Sequence, residues 1–357
     1  MGLLKSPIHP YVPNTPNPFT KELQAARELF LREIDNTEGW EEHGEKAEVK
    51  LEKKALEPHE NGKSVVPMVR GTCIVENTTT DELSPVIQTP GIRKKWDPRF
   101  ETAWIQRRFG PTSYQFYSLG NSPPGLGWLI YPRDIVGIHQ GYVDGETSDV
   151  DLGKNKEIVL IQTSVTDKER APEQWGKTRM TLGLSAWRLR PKGNDVEVTY
   201  LCKVSLGGSI PAGMVATVIV DVPKCAGKLR DTYYEFGAPP YLIHSDPHGT
   251  RSIEQCHFFH YGSSKNGIHE PLPNDKHFHL HMTGINGGDF EIRYDIKRMY
   301  APEGGVHVTV RGNGKDGVNI VNDGQGTVYV KVGEKADQKT FEIIISPLGK
   351  DVVALDS

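Results

Sequence analysis

Three histidines, His277, His279 and His281, alternate along the run HFHLHM. In a strand, where successive side chains point to opposite faces, all three would share one face. Imidazoles at that spacing form half of an acceptable zinc site when further ligands return from elsewhere. Eight of the thirteen histidines fall between His244 and His281, and His257, His260 and Glu270 are the candidates to return. They are scattered through a turn-rich stretch, with no tight second pair and no cysteine at metal spacing. The expectation is therefore strand histidines and no metal. The chain carries no GxSxG, HExxH or GxxxxGK[ST], and no GxGxxG placed after a strand, so no enzyme constellation and no cofactor is implied.

A separate polar candidate is His139, inside the strand-like run Trp128–Val143. On a buried strand it could hydrogen-bond a ligand hydroxyl or headgroup and respond to mild acid. Gln162 and Ser164, alternating in IQTSV, stand beside it as helpers. Arg133 and Asp134 are adjacent, so they point to opposite faces of a strand and fix structure. RKKW, Arg93–Trp96, is a small basic patch, read as a solvated turn.

The totals bound these readings. A chain of 357 residues suggests two domains. Its formal net charge of −4 gives no general attraction to nucleic acid. Cys73, Cys202, Cys225 and Cys256 lie far apart and read as reduced thiols of a cytosolic protein. No apolar run approaches the ~20 residues of a membrane span. The opening MGLLKSPIHP matches an N-acylation pattern at Gly2 and Ser6. With Pro7 next to Ser6, the stretch reads instead as a flexible leader over residues 1–18.

The elements follow from periodicity. Leu23, Ala26, Phe30 and Ile34 mark an amphipathic helix over Phe19–Ile34, with Thr20 as its cap. AEVKLEKKAL and Ser64–Asn77 read as strands, and a short helix runs from Thr80 to about Gln88. Pro90–Pro98 reads as a loop. Further strands are expected at Glu101–Arg108, Thr112–Tyr117, Trp128–Val143, Glu157–Thr166, Thr178–Arg190 and Glu197–Ser205. After Gly207, Gly208 and Pro211, the residues Val215, Val218, Ile219, Val222, Ala226, Leu229, Tyr233 and Phe236 recur at helical spacing. That predicts one long apolar helix, kinked at Pro223. The order describes an α+β domain with one bent antiparallel sheet over residues 19–240. Residues 241–276 read as a connector and 277–357 as an all-β sandwich.

WDP (Trp96–Pro98), YPRDIV (Tyr131–Val136), IVLIQTSV (Ile158–Val165), TRM (Thr178–Met180) and GGSIPAGMV (Gly207–Val215) stand in this order along the chain. In them the middle of the chain resembles the START family of lipid-binding domains. It departs from the family at Ser205, where an Asp is usual, and at His139, where a cavity base is common. No cavity Glu appears in Gln115–Gly120. The resemblance implies a helix-grip fold, a curved sheet closing round the last helix over a tunnel for one lipid-sized molecule. It also implies a lid made of the Tyr142–Lys156 loop and that helix. Within such a tunnel, wall candidates on the strands are Ile135, Leu160, Leu182, Leu184, Trp187 and Val204. Those on the helix are Met214, Val218, Val222 and Leu229. The last block, GGVHVTVRGNGKDGVNIVNDGQGTVYVKV, resembles an immunoglobulin-type repeat of the filamin sort.

Together these readings lead to the expectation of a lipid-binding and transfer protein, not an enzyme, that contacts membranes transiently. A sterol, phospholipid, ceramide or carotenoid would fit equally. The absent ion pair favours a weakly polar ligand. Two alternatives stay open: an enzyme of cyclase or hydrolase type on the same scaffold, and a lipid-sensing adaptor whose sandwich binds a protein partner.

Overall fold

The computed structural model describes residues 16–56, 66–110, 112–121, 132–146, 155–207, 218–243 and 276–349, with the backbone of Ile253–Phe259. Leader residues 1–15, Met214, His244, His260 and Glu270 lie outside the described residues, as does the side chain of His257.

The first helix, α1 (Thr20–Glu33), buries Leu23, Ala26 and Phe30, the stripe that its spacing marks. Its entrance is fixed by Asn17, whose Oδ1 accepts from the Phe19 amide at 2.9 Å, not by Thr20. Strands β1 (Trp40–Lys46), β2 (Val49–Lys54) and β3 (Met68–Val75) follow. Next comes α2 (Thr80–Gln88), capped by Thr79, whose side chain accepts from the Glu82 amide. The stretch expected to be a loop is α3 (Pro90–Trp96). A proline at the first helical position costs no hydrogen bond, and its fixed φ starts the turn.

Strands β4 (Phe100–Gly110), β5 (Ser113–Gly120), β6 (Arg133–Val143), β7 (Ile158–Ser164), β8 (Thr178–Arg179), β9 (Thr181–Lys192) and β10 (Asp195–Ser205) complete one sheet of ten strands. Its order is β1-β2-β3-β10-β9-β7-β6-β5-β4, antiparallel except for the short β8 beside β6.

The fourth helix, α4 (Cys225–Phe236), is shorter than the periodicity suggests. Residues 218–221 are helical, Val222–Lys224 form a turn, and the helix resumes at Cys225. Pro223 lacks the amide that would continue the ladder, so the expected kink is a break. A long helix is not seen among the described residues.

The sheet has two covered faces. Helix α1 lies on one, against β7 and β9, with Ile161, Leu184, Ala186 and Leu201 beneath it. Helices α2, α3 and α4 lie on the other, above Val69, Cys73, Leu160, Trp187, Val198 and Tyr200.

Beyond α4 come β11 (Tyr241–Ile243), β12 (Ile253–Phe259), β13 (His277–Thr283), β14 (Phe290–Arg293), β15 (Val306–Arg311), β16 (Val318–Asn322), β17 (Thr327–Val332) and β18 (Thr340–Pro347). They form two four-stranded sheets, β11-β14-β17-β16 and β12-β13-β18-β15. Two of these strands, β11 and β12, come from the stretch expected to be a connector. The two sheets share one apolar core that includes Phe278, Leu280, Ile292, Val328 and Ile343. This block is joined to the larger sheet's helices. Arg298 Nη1 donates to Tyr233 Oη at 2.7 Å, and the Ala238 amide donates to Asp295 at 3.1 Å.

Candidate functional site

Register places five side chains in one row across the α4-bearing face. Tyr114 on β5 stands opposite His139 on β6, His139 opposite Gln162 on β7, Gln162 opposite Ser185 on β9, and Ser185 opposite Cys202 on β10. Arg108 on β4 pairs with Tyr114 and extends the row, and the next row on one side is Gly141, Leu160, Trp187 and Tyr200. The Tyr114 and His139 rings stack at 4.4 Å with 17° between planes. Gln162 Nε2 lies 3.4 Å from His139 Nδ1, and Ser185 Oγ lies 3.2 Å from Tyr200 Oη.

His139 is 1 % exposed. Burial, reinforced by the Arg108 guanidinium, pushes its pKa down to about 3, so the ring is neutral. Where the Gln162 amide donates to Nδ1, the neutral ring carries its proton on Nε2. That Nε2 is buried and has no hydrogen-bond partner among the described residues. A buried donor without an acceptor costs about 1–3 kcal/mol.

The apolar candidates divide between places. Leu160, Leu182, Val204, Val222 and Leu229 join the cluster under α2, α3 and α4, with Ile135 and Val218 partly buried against it. Leu184 is on the opposite face, beneath α1. Strict alternation would put Leu182 and Leu184 together. A bulge, in which Lys203 faces Leu184 while Val204 faces Leu182, leaves Gly183 as the extra residue and separates them.

Trp187 fills space instead of lining it. Its ring stacks on Tyr200 at 4.2 Å and meets Trp96 edge-on at 5.5 Å. The β9–β10 half of the face is thus plugged by the chain's own aromatics. Ser164 turns away to accept from the Leu182 amide at 2.8 Å. It also borders a cleft of about 640 Å³ on the sheet's margin, lined by Glu22, Val136, Ala171, Arg179 and Met180 among others.

The stem of the expected lid loop is fastened to α2. The Asn155 amide donates to Asp81 at 3.0 Å, and Thr80 Oγ1 donates to the Lys156 carbonyl at 2.7 Å. Residues 147–154 of that loop lie outside the described residues.

The histidine-rich strand holds a hydrogen-bonded cluster. Glu342 Oε1 is 2.7 Å from His279 Nδ1 and 3.2 Å from His281 Nε2. Backbone register sets His257 opposite His279. Among the described residues no group of three acidic, histidine or cysteine side chains is arranged to hold a metal ion.

Sequence reasoning missed Tyr114, Ser185 and the Tyr233–Arg298 link. Only strand register or tertiary packing brings them to their partners, and no local motif marks either.

Among known proteins, no family model matches the chain. A stretch of 99 residues, 28 % of this chain, is 33 % identical to the uncharacterized protein PA1579 of Pseudomonas aeruginosa and spans 44 % of its length. The chain is similar to the solved structure of human STARD10, at 17 % identity and a TM-score of 0.49, over 62 % of this chain and 81 % of that one. Human StAR-related lipid transfer protein 5 matches at 19 % identity and 0.49, over 60 % and 97 %. A STAR-related lipid transfer protein from Xanthomonas axonopodis matches at 21 % and 0.43, over 54 % and 98 %. Likenesses at these scores decide nothing about what the chain binds, which rests on its own residues.

Proposed function

We propose that this protein binds and transfers lipid, holding one hydrophobic molecule against the α4-bearing face with its oxygen-bearing end at His139. The observation that carries this reading is the buried Nε2 of His139, which has no hydrogen-bond partner among the described residues. A ligand carbonyl or hydroxyl oxygen accepting from it would remove the desolvation cost. Each ligand methylene taken out of water adds about 0.8 kcal/mol, so some ten of them suffice for roughly micromolar affinity. A neutral imidazole held by an amide, with no carboxylate on Nδ1, suits hydrogen-bond donation better than general-base work. A weakly polar lipid without a cationic tip fits best. The mechanism is partition: the apolar part leaves the bilayer for the protein, and release reverses it.

Native mass spectrometry of the purified protein tests this reading. The expected result is a co-purifying lipid, or uptake of one from vesicles, with affinity falling about tenfold in His139→Ala. A protein that carries no lipid and takes up none from sterol- or phospholipid-containing vesicles sinks it.

A further inference from the structure

Trp175 is 96 % exposed, the most exposed large apolar side chain among the described residues. Its position is built and braced. The Lys177 amide donates to the Gln174 carbonyl at 3.2 Å, closing a turn with Trp175 and Gly176 at its tip. Gly176 has φ +78°, the left-handed conformation a type II turn needs at its third position. Across the base, Lys177 Nζ donates to Gln174 Oε1 at 2.6 Å. Behind it, Arg179 donates to the Ala171 and Pro172 carbonyls and forms a two-pronged pair with Asp134 at 2.9 and 3.0 Å. The loop is fixed, and it presents an indole to water.

The turn stands at one particular end of the sheet. There Ser205 pairs with Thr181, Gly120 pairs with Arg133, and Arg133 Nε donates to the Leu206 carbonyl at 3.2 Å. Gly207 lies so close to the Arg179 carbonyl that a side chain would collide with it. The base of the Trp175 loop therefore touches the segment that leaves the sheet toward α4.

We propose that Trp175 is a membrane-contact residue that seats this end of the sheet on a bilayer surface. The inference rests on the carrier reading above and names where that carrier meets its donor membrane. An indole has an apolar body with one N–H, and lodges at the headgroup level of a bilayer. A protein partner would need a broader patch, of the order of 800 Å² per side, with several apolar contacts. No second exposed large apolar residue stands on this loop; its other exposed positions include Lys168, Glu169, Arg170 and Glu173. The loop's acidic and basic residues nearly balance, and Arg170 lies within 3.5 to 3.7 Å of Glu169 and Asp167. The contact therefore suits zwitterionic lipid and responds little to salt.

Flotation of the full chain with phosphatidylcholine vesicles tests it. Trp175→Ala should lower the bound fraction at least fivefold, Trp175→Phe should retain much of it, and thermal unfolding should be unchanged. Moving from 50 to 300 mM salt should alter binding less than twofold. Equal binding by Trp175→Ala and the parent overturns the inference, as does binding that requires anionic lipid and disappears with salt. Native mass spectrometry of the same variants keeps the two readings apart. Lipid-free protein that still docks through Trp175 supports the contact and removes only the carrier reading. Lipid-loaded protein whose vesicle binding ignores Trp175 does the reverse.

Discussion

Gln162 on β7 stands opposite His139 on β6, and its amide nitrogen lies 3.4 Å from the imidazole Nδ1. The pair sits at the centre of the polar row, and it decides which ring nitrogen is left to face a ligand.

Burial of His139 makes stability depend on acid. The imidazole has an ordinary pKa near 6.5 when unfolded and about 3 in the folded chain, for reasons of burial first and Arg108 second. Below pH ~6.5 the unfolded state binds the proton that the folded state refuses. The full stability is thus present above ~6.5 and is lost as pH falls toward 3, by up to about 1.4 kcal/mol per pH unit. Urea midpoints measured from pH 7.5 to 4.5 should fall less steeply in His139→Gln than in the parent. Parallel slopes would show that His139 does not titrate in this way.

Gly71 on β3 supports the helix break. A side chain there would run into the Pro223 carbonyl, which is backbone and cannot swivel aside. Gly71→Ala is expected to destabilise the fold by about 3 kcal/mol through overpacking. The check is chemical denaturation, and a loss below 0.5 kcal/mol would contradict the close approach of these backbones.

Asp134 is 1 % exposed and takes two hydrogen bonds from Arg179 and one, at 2.8 Å, from Tyr117 Oη. Removing one member leaves polar atoms buried without partners. Asp134→Ala is expected to cost about 3–5 kcal/mol. Tyr117→Phe should cost only about 1 kcal/mol, because the Arg179 pair survives. Equal losses would mean that Asp134 is solvated.

Three thiols should be inert. Burial pushes Cys73 up to about 12 and Cys202 and Cys225 up to about 11. Titration of the native protein with an aromatic disulfide at pH 8 should show at most one fast thiol of the four in the sequence, and all four after denaturation. Two or more fast native thiols would refute this packing.

Much of the architecture was legible because it rests on local chemistry. The apolar stripe of α1, the strand alternation from Phe100 to Ser205 and an irregularity at Pro223, read as a kink, all appear as residue spacing. The misread pieces are those where a distant partner decides. Pro90–Trp96 looks like a loop in isolation, yet becomes a helix whose Trp96 donates to the Val86 carbonyl at 2.9 Å and packs on Trp187. Tyr241–Ile243 has no strong signal and is a strand because β14 offers it an edge.

His139, Gln162 and the apolar strand positions were visible as residue types. Their neighbours in space were not. Alternation along each strand is a property of the chain, since the pleat has a period of two. Register, and the bulge at Gly183 that sends Leu182 and Leu184 to opposite faces, depend on how whole strands align. Only the folded sheet could set Tyr114, His139, Gln162, Ser185 and Cys202 in one row. Hydrogen bonds between strands far apart in sequence fix that alignment, and no short stretch contains them.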